Sequence, residues 1–276
     1  AIALITSLRK NSPESFRKCD INCLCLEEVS KSSLVSLKKE GYNIKILQKK
    51  KYLIPNHKDF LGRYASSPWL TFNKLYIFSY TEYETILYLD ADTIVRNEIF
   101  ELFNSQSYLA AVEDELTPNL NNKGINSGVM VIKPNRENWE LIKKNINTKF
   151  NQKHTDQSLI NALFYDFVRL SRKYNTLEKI QRRLDFHERK KSFHNSYIYH
   201  FNGSKPWLNI FTKNGWNHIP NMAFIEFWFY LLISKKQYIK IFCYLNLFSN
   251  IVISSLVRIF SIIKVKLRNL KSEFLF

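Results

Sequence analysis

Two carboxylates, Asp90 and Asp92, interrupt the otherwise apolar stretch at residues 86–95. Because alternate residues of an extended chain point the same way, both side chains can reach one cation. Buried carboxylates are costly without a positive partner, and a divalent metal that also holds a phosphate would supply one. The alternative is structural, since Asp92 or Thr93 could cap the element that follows.

A second polar group lies farther along the chain, in the sequence YHFNGSKPW. His200 comes at the end of an apolar strand and is a candidate third metal ligand, and two carboxylates with one imidazole favour Mn²⁺ slightly over Mg²⁺. Gly203 permits close approach of the backbone to a phosphate, and Lys205 supplies a positive charge for it. A lone histidine is more often structural, so the hypothesis depends on these neighbours.

Two further motifs carry side chains suited to a sugar. In GINSGVMVI, Asn126 and Gly128 precede an apolar strand and offer an amide and an open backbone to a sugar hydroxyl. In HTDQSLIN, Asp156 and Gln157 begin a predicted helix. A carboxylate at that position gains from the helix dipole, which is the structural interpretation. The functional interpretation places Asp156 against the reacting carbon.

Alternating strands and helices must position these motifs, and this alternation predicts an α/β layer fold with a largely parallel sheet. Strands are predicted over residues 21–26, 42–47, 86–89, 108–112, 129–132 and 197–201. Helices are predicted over residues 34–40, 69–80, 97–103, 137–150 and 155–167, the last with Thr155 as its N-cap. Residues 1–8 fit a strand or an apolar helix, and periodicity does not decide between them.

The composition suits a substantial domain with a basic surface. The 276 residues are 45% hydrophobic and carry a formal net charge of +17. Nucleic acid, anionic lipid and a phosphorylated substrate would each balance such a charge. Cys19, Cys23 and Cys25 crowd one segment without the paired C-x-x-C spacing of a zinc site, so we interpret them as buried free thiols.

The segment at residues 216–276 differs from the rest of the chain. Residues 222–233 are almost wholly apolar, and residues 241–257 carry no charge before a polar stripe ends at Arg258. This pattern favours an amphipathic helix in the membrane plane over a membrane span. From Lys235 onward eight Lys or Arg residues accompany one acid, so we expect attachment to an anionic membrane surface. A helical lid packed on the domain is the alternative.

Taken in order, the motifs resemble those of the glycogenin-like retaining glycosyltransferases of family eight. The matching residues are Phe72-Asn73-Lys74-Leu75, Asp90-Ala91-Asp92-Thr93, Asn126-Ser127-Gly128-Val129, Asp156-Gln157 with Asn161, Tyr174-Asn175, and His200-Phe201 with Gly203 and Lys205-Pro206-Trp207. Each motif alone is weak, but together and in this order they are specific. The resemblance covers about residues 1–210.

This resemblance implies a GT-A fold over residues 1–215, followed by the basic extension at 216–276. It also implies a UDP-linked sugar donor and Mn²⁺, with Mg²⁺ as the alternative ion. By position, the metal ligands would be Asp90, Asp92 and His200, and the catalytic carboxylate would be Asp156. The donor-binding residues would be Lys74, Asp90, Ala91, Asp92, Asn126, Ser127, Gly128, Gln157, Gly203 and Lys205. The acceptor (glycan, protein or lipid) is not specified, and nucleic acid is not expected.

The sequence departs from the family pattern at two places. The family opens with a nucleotide-binding strand, whereas residues 1–10 resemble its first helix. We therefore expect a helical opening element, with the family's first strand missing from this sequence. Lys153 stands where some relatives carry an acid, which would alter the choice of acceptor or donor.

Two other classes compete with this interpretation. Haloacid-dehalogenase-type phosphatases also place Asp-x-Asp after an apolar strand, but Gly then Thr or Val usually follows, whereas Thr93-Ile94 follows here. They also have no place for the motif around His200. A non-catalytic, membrane-associated basic protein would not need the metal residues intact. The sequence therefore favours a retaining transferase of hexose-type sugars.

Overall fold

The computed structural model describes residues 1–53, 68–114, 124–148, 155–203, 205–207 and 222–234. The helices are α1 (Ile2–Asn11), α2 (Pro13–Lys18), α3 (Lys31–Glu40), α4 (Arg136–Asn145), α5 (Asp156–Leu163), α6 (Glu178–Gln181), α7 (Phe186–His194) and α8 (Met222–Leu232). The strands are β1 (Asn22–Leu26), β2 (Asn43–Leu47), β3 (Ile86–Leu89), β4 (Thr93–Val95), β5 (Leu109–Glu113), β6 (Ile125–Ile132), β7 (Val168–Arg169), β8 (Thr176–Leu177) and β9 (Ile198–His200). Segments of 3₁₀ helix span Lys49–Lys51, Pro68–Ser79, Phe100–Asn104 and Arg172–Tyr174.

Most predicted elements are present, with shifted ends. The opening element is a helix, as the resemblance implied, and α3 ends at Gly41, whose φ of 107° suits glycine. The helical segment after residue 67 is 3₁₀ throughout. The shift that matters most for the site concerns β6, which begins at Ile125. The Asn-Ser-Gly motif therefore lies within a buried strand, not ahead of one.

The strands form mixed sheets, so the prediction of a largely parallel sheet is wrong in that detail. In the described part of the chain, β6 pairs antiparallel with both β3 and β5, and β4 pairs antiparallel with β9. The pairs β1–β2, β5–β7 and β8–β9 are parallel. An apolar run reports burial on both faces but not strand direction, which explains the error.

A cavity of about 1500 Å³ is lined by both β1 and β3. Among the described residues, β1 pairs only with β2 and β3 only with β6, so each strand leaves one edge without a strand partner. Leu24 and Tyr88 contribute to the wall of the cavity, and Asp90, Ala91 and Asp92 lie along it. The fold therefore places the Asp-x-Asp motif beside a space large enough for a substrate.

Helix α8 packs on the domain although it falls in the predicted extension. Phe227, Trp228 and Tyr230 join a buried cluster with residues of α1, β4 and β9. The Asn11 amide donates to the Tyr230 hydroxyl at 2.6 Å. This part of the extension is thus packed, whereas the predicted amphipathic segment at 241–257 lies outside the described residues. No described helix combines the length and the apolar character that a membrane crossing requires.

The three cysteines near β1 are unbridged thiols. Cys25 is buried, whereas Cys19 and Cys23 are only partly so, and the Cys23 and Cys25 sulfurs lie 3.6 Å apart. The prediction of free thiols is confirmed for these residues, and the prediction of full burial holds for Cys25 alone.

Candidate metal and donor site

A tight turn after β3 carries the two carboxylates. The Asp90 amide donates to the Gly128 carbonyl at 2.8 Å, which continues the pairing with β6 by one residue. Thr93 closes the turn, because its amide and its hydroxyl both donate to the Asp90 carbonyl, at 3.1 and 2.8 Å. The side chain of Thr93 thus supplies the cap, and the carboxylates of Asp90 and Asp92 remain available for other partners.

The pairing of β4 with β9 brings His200 to the carboxylates. Thr93 lies opposite His200 in this antiparallel pair. His200 Nε2 is 3.7 Å from Asp90 Oδ2 and 3.4 Å from Asp92 Oδ1. One ligand atom from each of the three residues lies within 4.8 Å of the other two. The three predicted metal ligands therefore converge on one point.

The hydrogen bonds behind His200 assign its proton. Nδ1 is 3.0 Å from Asn175 Oδ1, while the Asn175 amide donates to Asn126 Oδ1 at 2.8 Å. Because Asn175 Oδ1 accepts, His200 Nδ1 carries a hydrogen, and Nε2 is the ring nitrogen that faces the carboxylates. The donor set therefore fits a divalent metal held by oxygen and nitrogen ligands.

The imidazole of His200 packs directly on Gly128. A Cβ built at Gly128 would lie 2.2 Å from His200 Cε1 and 2.6 Å from Nδ1. The Gly128 amide also donates to Asn126 Oδ1 at 3.1 Å. The position of the His200 ring therefore requires a residue without a side chain at position 128. The hydrogen bond to Asn126 helps to hold the Gly128 backbone in place.

Replacement of Gly128 by alanine should displace the imidazole. We expect Gly128→Ala to weaken Mn²⁺ binding about tenfold or more, because the ring must leave its ligand position. The free energy of unfolding should fall by about 1–3 kcal/mol. Calorimetric Mn²⁺ titration and urea unfolding measure the two effects.

The double variant Gly128→Ala/His200→Ala is the matched control. It removes the clash, so it should recover stability relative to Gly128→Ala without recovering metal binding. Equal Mn²⁺ affinity in wild type and Gly128→Ala would contradict the contact.

Lys74 joins the metal ligands to the predicted catalytic carboxylate. Its ammonium lies 3.1 Å from Asp90 Oδ1 and 3.1 Å from Asp156 Oδ2, and its side chain is only 12% exposed. Burial alone would lower the pKa of Lys74, but the charges of Asp156 and Asp90 outweigh it and raise that pKa well above its usual range. The Tyr88 hydroxyl adds a hydrogen bond to Asp90 Oδ1 at 2.6 Å.

Lys205 contacts the Oδ2 atom of Asp92, whereas His200 faces the Oδ1 atom. Its ammonium donates to Asp92 Oδ2 and, at 2.6 Å, to the Phe201 carbonyl. Burial alone would raise the pKa of the Asp92 carboxyl, but contacts with His200 and Lys205 lower it below its usual range. Asp92 is therefore ionised at neutral pH, as a metal ligand must be.

Helix α5 presents Asp156 and Gln157 to strand β6. Thr155 caps the helix through a hydrogen bond from the Ser158 amide, as predicted, and Asp156 is the first helical residue. Asp156 Oδ2 instead accepts from the Ser127 hydroxyl at 3.0 Å. Gln157 Oε1 accepts from the Ser127 amide at 3.2 Å. Ser127 thus links the start of α5 to strand β6, which lies beside the candidate metal ligands.

Other predicted residues have packing roles in this structure. A Cβ at Gly203 would lie 2.2 Å from Glu178 Oε2, so its missing side chain makes room for that carboxylate. The Asn161 amide side chain holds the Ile125 backbone, accepting from its N–H at 2.7 Å and donating to its carbonyl at 3.3 Å. Ala91 lines the cavity. Lys153 lies outside the described residues.

Three supporting residues were not assigned a role from the sequence. Asn175 orients the histidine, Tyr88 binds Asp90, and Asp114 accepts from Gln157 Nε2 at 2.8 Å. The sequence offered one signal for Tyr88, a hydroxyl two residues before a carboxylate on the same strand. Asn175 belongs to the matching Tyr174-Asn175 pair, which had no assigned role, whereas Asp114 meets Gln157 only in the folded chain.

Comparison with solved structures defines the class of fold. The apo structure of the bifunctional glycosyltransferase WbbM superposes with a TM-score of 0.60 at 18% identity, covering 89% of this chain and 49% of that one. The galactosyltransferase LgtC in complex with donor and acceptor sugar analogs gives a TM-score of 0.50 at 18% identity, covering 82% and 91%. The fold is that of the GT-A glycosyltransferases.

The family follows from the sequence comparison. The model of glycosyl transferase family 8 matches residues 1–211, so the chain belongs to that family. This membership decides against the haloacid-dehalogenase alternative.

Among curated relatives, the putative UDP-glucuronate:xylan alpha-glucuronosyltransferase 4 of Arabidopsis thaliana is 25% identical over 89% of this chain. Glycogenin-1 of Caenorhabditis elegans is 32% identical over 59% of this chain. The aligned regions span 42% and 36% of those two proteins.

Proposed function

We propose that this protein is a metal-dependent retaining glycosyltransferase that moves a hexose-type sugar from a UDP-sugar to an acceptor. The convergence of Asp90, Asp92 and His200 beside a cavity of about 1500 Å³ is the observation that carries the proposal. Family membership supports a sugar-transfer reaction. A bound divalent ion, Mn²⁺ in preference to Mg²⁺, would neutralise charge on the departing diphosphate.

The residues around the ligand set have distinct tasks in this proposal. The bond between the anomeric carbon and the diphosphate oxygen breaks, and the electron pair leaves with UDP. Lys205, already fixed on Asp92, brings a second positive charge to the diphosphate. Its hydrogen bond to the Phe201 carbonyl keeps the ammonium in place before substrate arrives.

Asp156 is the proposed catalytic carboxylate. Lys74 and the Ser127 hydroxyl fix one of its oxygens, at 3.1 and 3.0 Å. Retention requires the new bond to form on the face that UDP leaves. A carboxylate beside the anomeric carbon would either stabilise its positive charge, or attack it from the face opposite to UDP and then be displaced by the acceptor oxygen. In both cases the proton of the acceptor hydroxyl would pass to the departing diphosphate oxygen.

The names of the relatives guide the choice of UDP-sugars to be tested as donors. Two aligned Arabidopsis thaliana proteins are named for glucuronosyl transfer, one to xylan and one to inositol phosphorylceramide. UDP-glucuronate therefore belongs beside UDP-glucose, UDP-galactose and UDP-N-acetylglucosamine. The acceptor is proposed as a glycan, a protein or a lipid, since these relatives are named for different acceptors.

A hydrolysis assay tests the proposal, because water can replace an absent acceptor. We expect the full chain to release UDP from at least one of the four donors with Mn²⁺ and to stop when EDTA is added. Release of UDP from none of the four, with Mn²⁺ or Mg²⁺ present, would reject the proposal. Retention of configuration is checked by NMR of the first sugar anomer released.

We also propose that the basic segment from Lys235 onward holds the protein peripherally on an anionic membrane. The segment carries eight Lys or Arg residues and one acid, and anionic lipid attracts such a segment. The deletion that tests it should begin at Lys235, because α8 packs in the core and must be kept. Equal flotation of the full and shortened chains with anionic vesicles would show that the basic segment does not hold the protein on the membrane.

A further inference from the structure

Helix α8 exposes an apolar stripe along one side. Met222, Ile225, Phe229 and Ile233 are 49%, 40%, 39% and 43% exposed. Their spacing of three and four residues places them along one side of the helix. We call these four residues the α8 stripe. The opposite side, with residues such as Ala223 and Phe227, is buried in the core. The stripe is therefore an outward face of a well-anchored helix, not a poorly packed segment.

One cation, Lys10, lies against the α8 stripe in the described structure. The Lys10 ammonium lies 4.3 Å from the centroid of the Phe229 ring. Glu226 is the acid on this helix, and both its oxygens are engaged by Arg96, at 2.7 and 3.0 Å. It therefore brings no uncompensated negative charge to the stripe. An apolar helix face beside a cation is the pattern that binds the interface of an anionic bilayer.

We propose that the α8 stripe docks this helix into the interfacial region of an anionic lipid bilayer. Lys10 would lie at the level of the lipid headgroups, where a long side chain keeps its charge in water. This inference goes beyond the transferase proposal and does not depend on it. It also differs from the proposal for the basic segment, because it names a surface of the folded domain.

The α8 stripe lies across one helix from the cavity of about 1500 Å³ that holds the Asp-x-Asp motif. Phe227, on the buried side of α8, contacts the Trp207 ring with centroids 5.6 Å apart, and Trp207 follows Lys205 by two residues. Phe227 and Leu231 line the same cavity as Lys205. A bilayer bound at the α8 stripe would therefore hold the cavity close to the lipid surface, where a membrane-borne acceptor is presented.

Vesicle flotation of the full chain tests the α8 stripe. The test variant is Ile225→Asp/Phe229→Asp, which adds two charges at exposed positions. The matched control is Val35→Asp/Ile46→Asp, since those residues are 54% and 53% exposed elsewhere on the domain. Vesicles of phosphatidylcholine with phosphatidylserine are compared with vesicles of phosphatidylcholine alone.

We expect wild type and the control variant to float with anionic vesicles equally well. The stripe variant should bind anionic vesicles at least about tenfold more weakly than wild type. Two apolar side chains that would enter the bilayer are replaced by carboxylates, which the anionic lipids repel. Thermal unfolding without vesicles should be the same for both variants. Neutral vesicles should bind all three proteins weakly.

Three outcomes would overturn the proposal. The first is a wild-type protein that does not float with anionic vesicles, or that floats equally with neutral ones. The second is a stripe variant that floats as well as wild type, which would assign binding to the basic segment alone. A fall in the unfolding temperature of the stripe variant alone would show that this chain's own residues cover the stripe.

Discussion

Asp92→Asn is expected to lower the rate of metal-dependent UDP-sugar hydrolysis about a thousandfold. The substitution keeps the shape of the side chain but removes the charge that faces His200 at 3.4 Å and that Lys205 contacts. A neutral amide binds a hard divalent cation more weakly than a carboxylate does. The measurement is kcat with saturating Mn²⁺, together with the Mn²⁺ concentration that gives half the maximal rate.

Asp166→Asn is the matched control, because Asp166 is an exposed carboxylate. It should keep the wild-type rate. The thermal midpoint of Asp92→Asn, measured in the same buffer, shows whether the fold persists. A folded Asp92→Asn protein with the wild-type rate would rule out the metal assignment.

Lys74→Met is expected to lower the free energy of unfolding by about 3 kcal/mol at neutral pH in metal-free protein. Methionine fills similar space but leaves Asp90 and Asp156 without the ammonium that lies 3.1 Å from each. The pKa of Lys74 is raised in the folded state, so its contribution is complete at neutral pH. That contribution is lost only as pH rises through the raised pKa, above about 10.5. Urea unfolding at several pH values measures it.

Lys143→Met tests whether the effect of Lys74→Met is specific. Lys143 forms an ion pair with Glu140 at 2.7 Å, but its side chain is 41% exposed. Water screens that pair, so the same substitution should change stability by less than about 1 kcal/mol. Equal losses in the two variants would show that Lys74 contributes no more than an exposed lysine.

The local elements and the candidate metal ligands could be predicted because each has a local sequence signature. Asp90 and Asp92 stand out in an apolar strand, and His200 comes at the end of another. Thr155 ahead of α5 has the side chain that caps a helix. These features depend on neighbours within a few positions, which is the range over which sequence patterns report structure.

The contacts that position His200 could not be predicted from the sequence, because they depend on how the strands pair. The antiparallel pair of β4 and β9 sets His200 against Thr93, and no residue pattern encodes that register. The contact of Gly128 with the imidazole follows from the same packing. Sequence suggested an open backbone for a sugar at Gly128, whereas the structure shows a position kept small for His200.

Helix α8 shows the same limit at the level of the domain. Its apolar sequence marked it as part of an extension, because hydrophobicity alone does not show which element a helix contacts. The hydrogen bond between Asn11 and Tyr230 joins residues at opposite ends of the described chain. The contacts of α8 with α1, β4 and β9 distinguish its buried side from the exposed α8 stripe.

The central claim is that Asp90, Asp92 and His200 hold the ion that binds a sugar nucleotide's diphosphate. Calorimetric titration of UDP into the full chain, with Mn²⁺ and then with EDTA, tests it most directly. We predict that Mn²⁺ tightens UDP binding about tenfold or more, and that Asp92→Asn abolishes this gain. A UDP affinity that is the same with Mn²⁺ as with EDTA would contradict it.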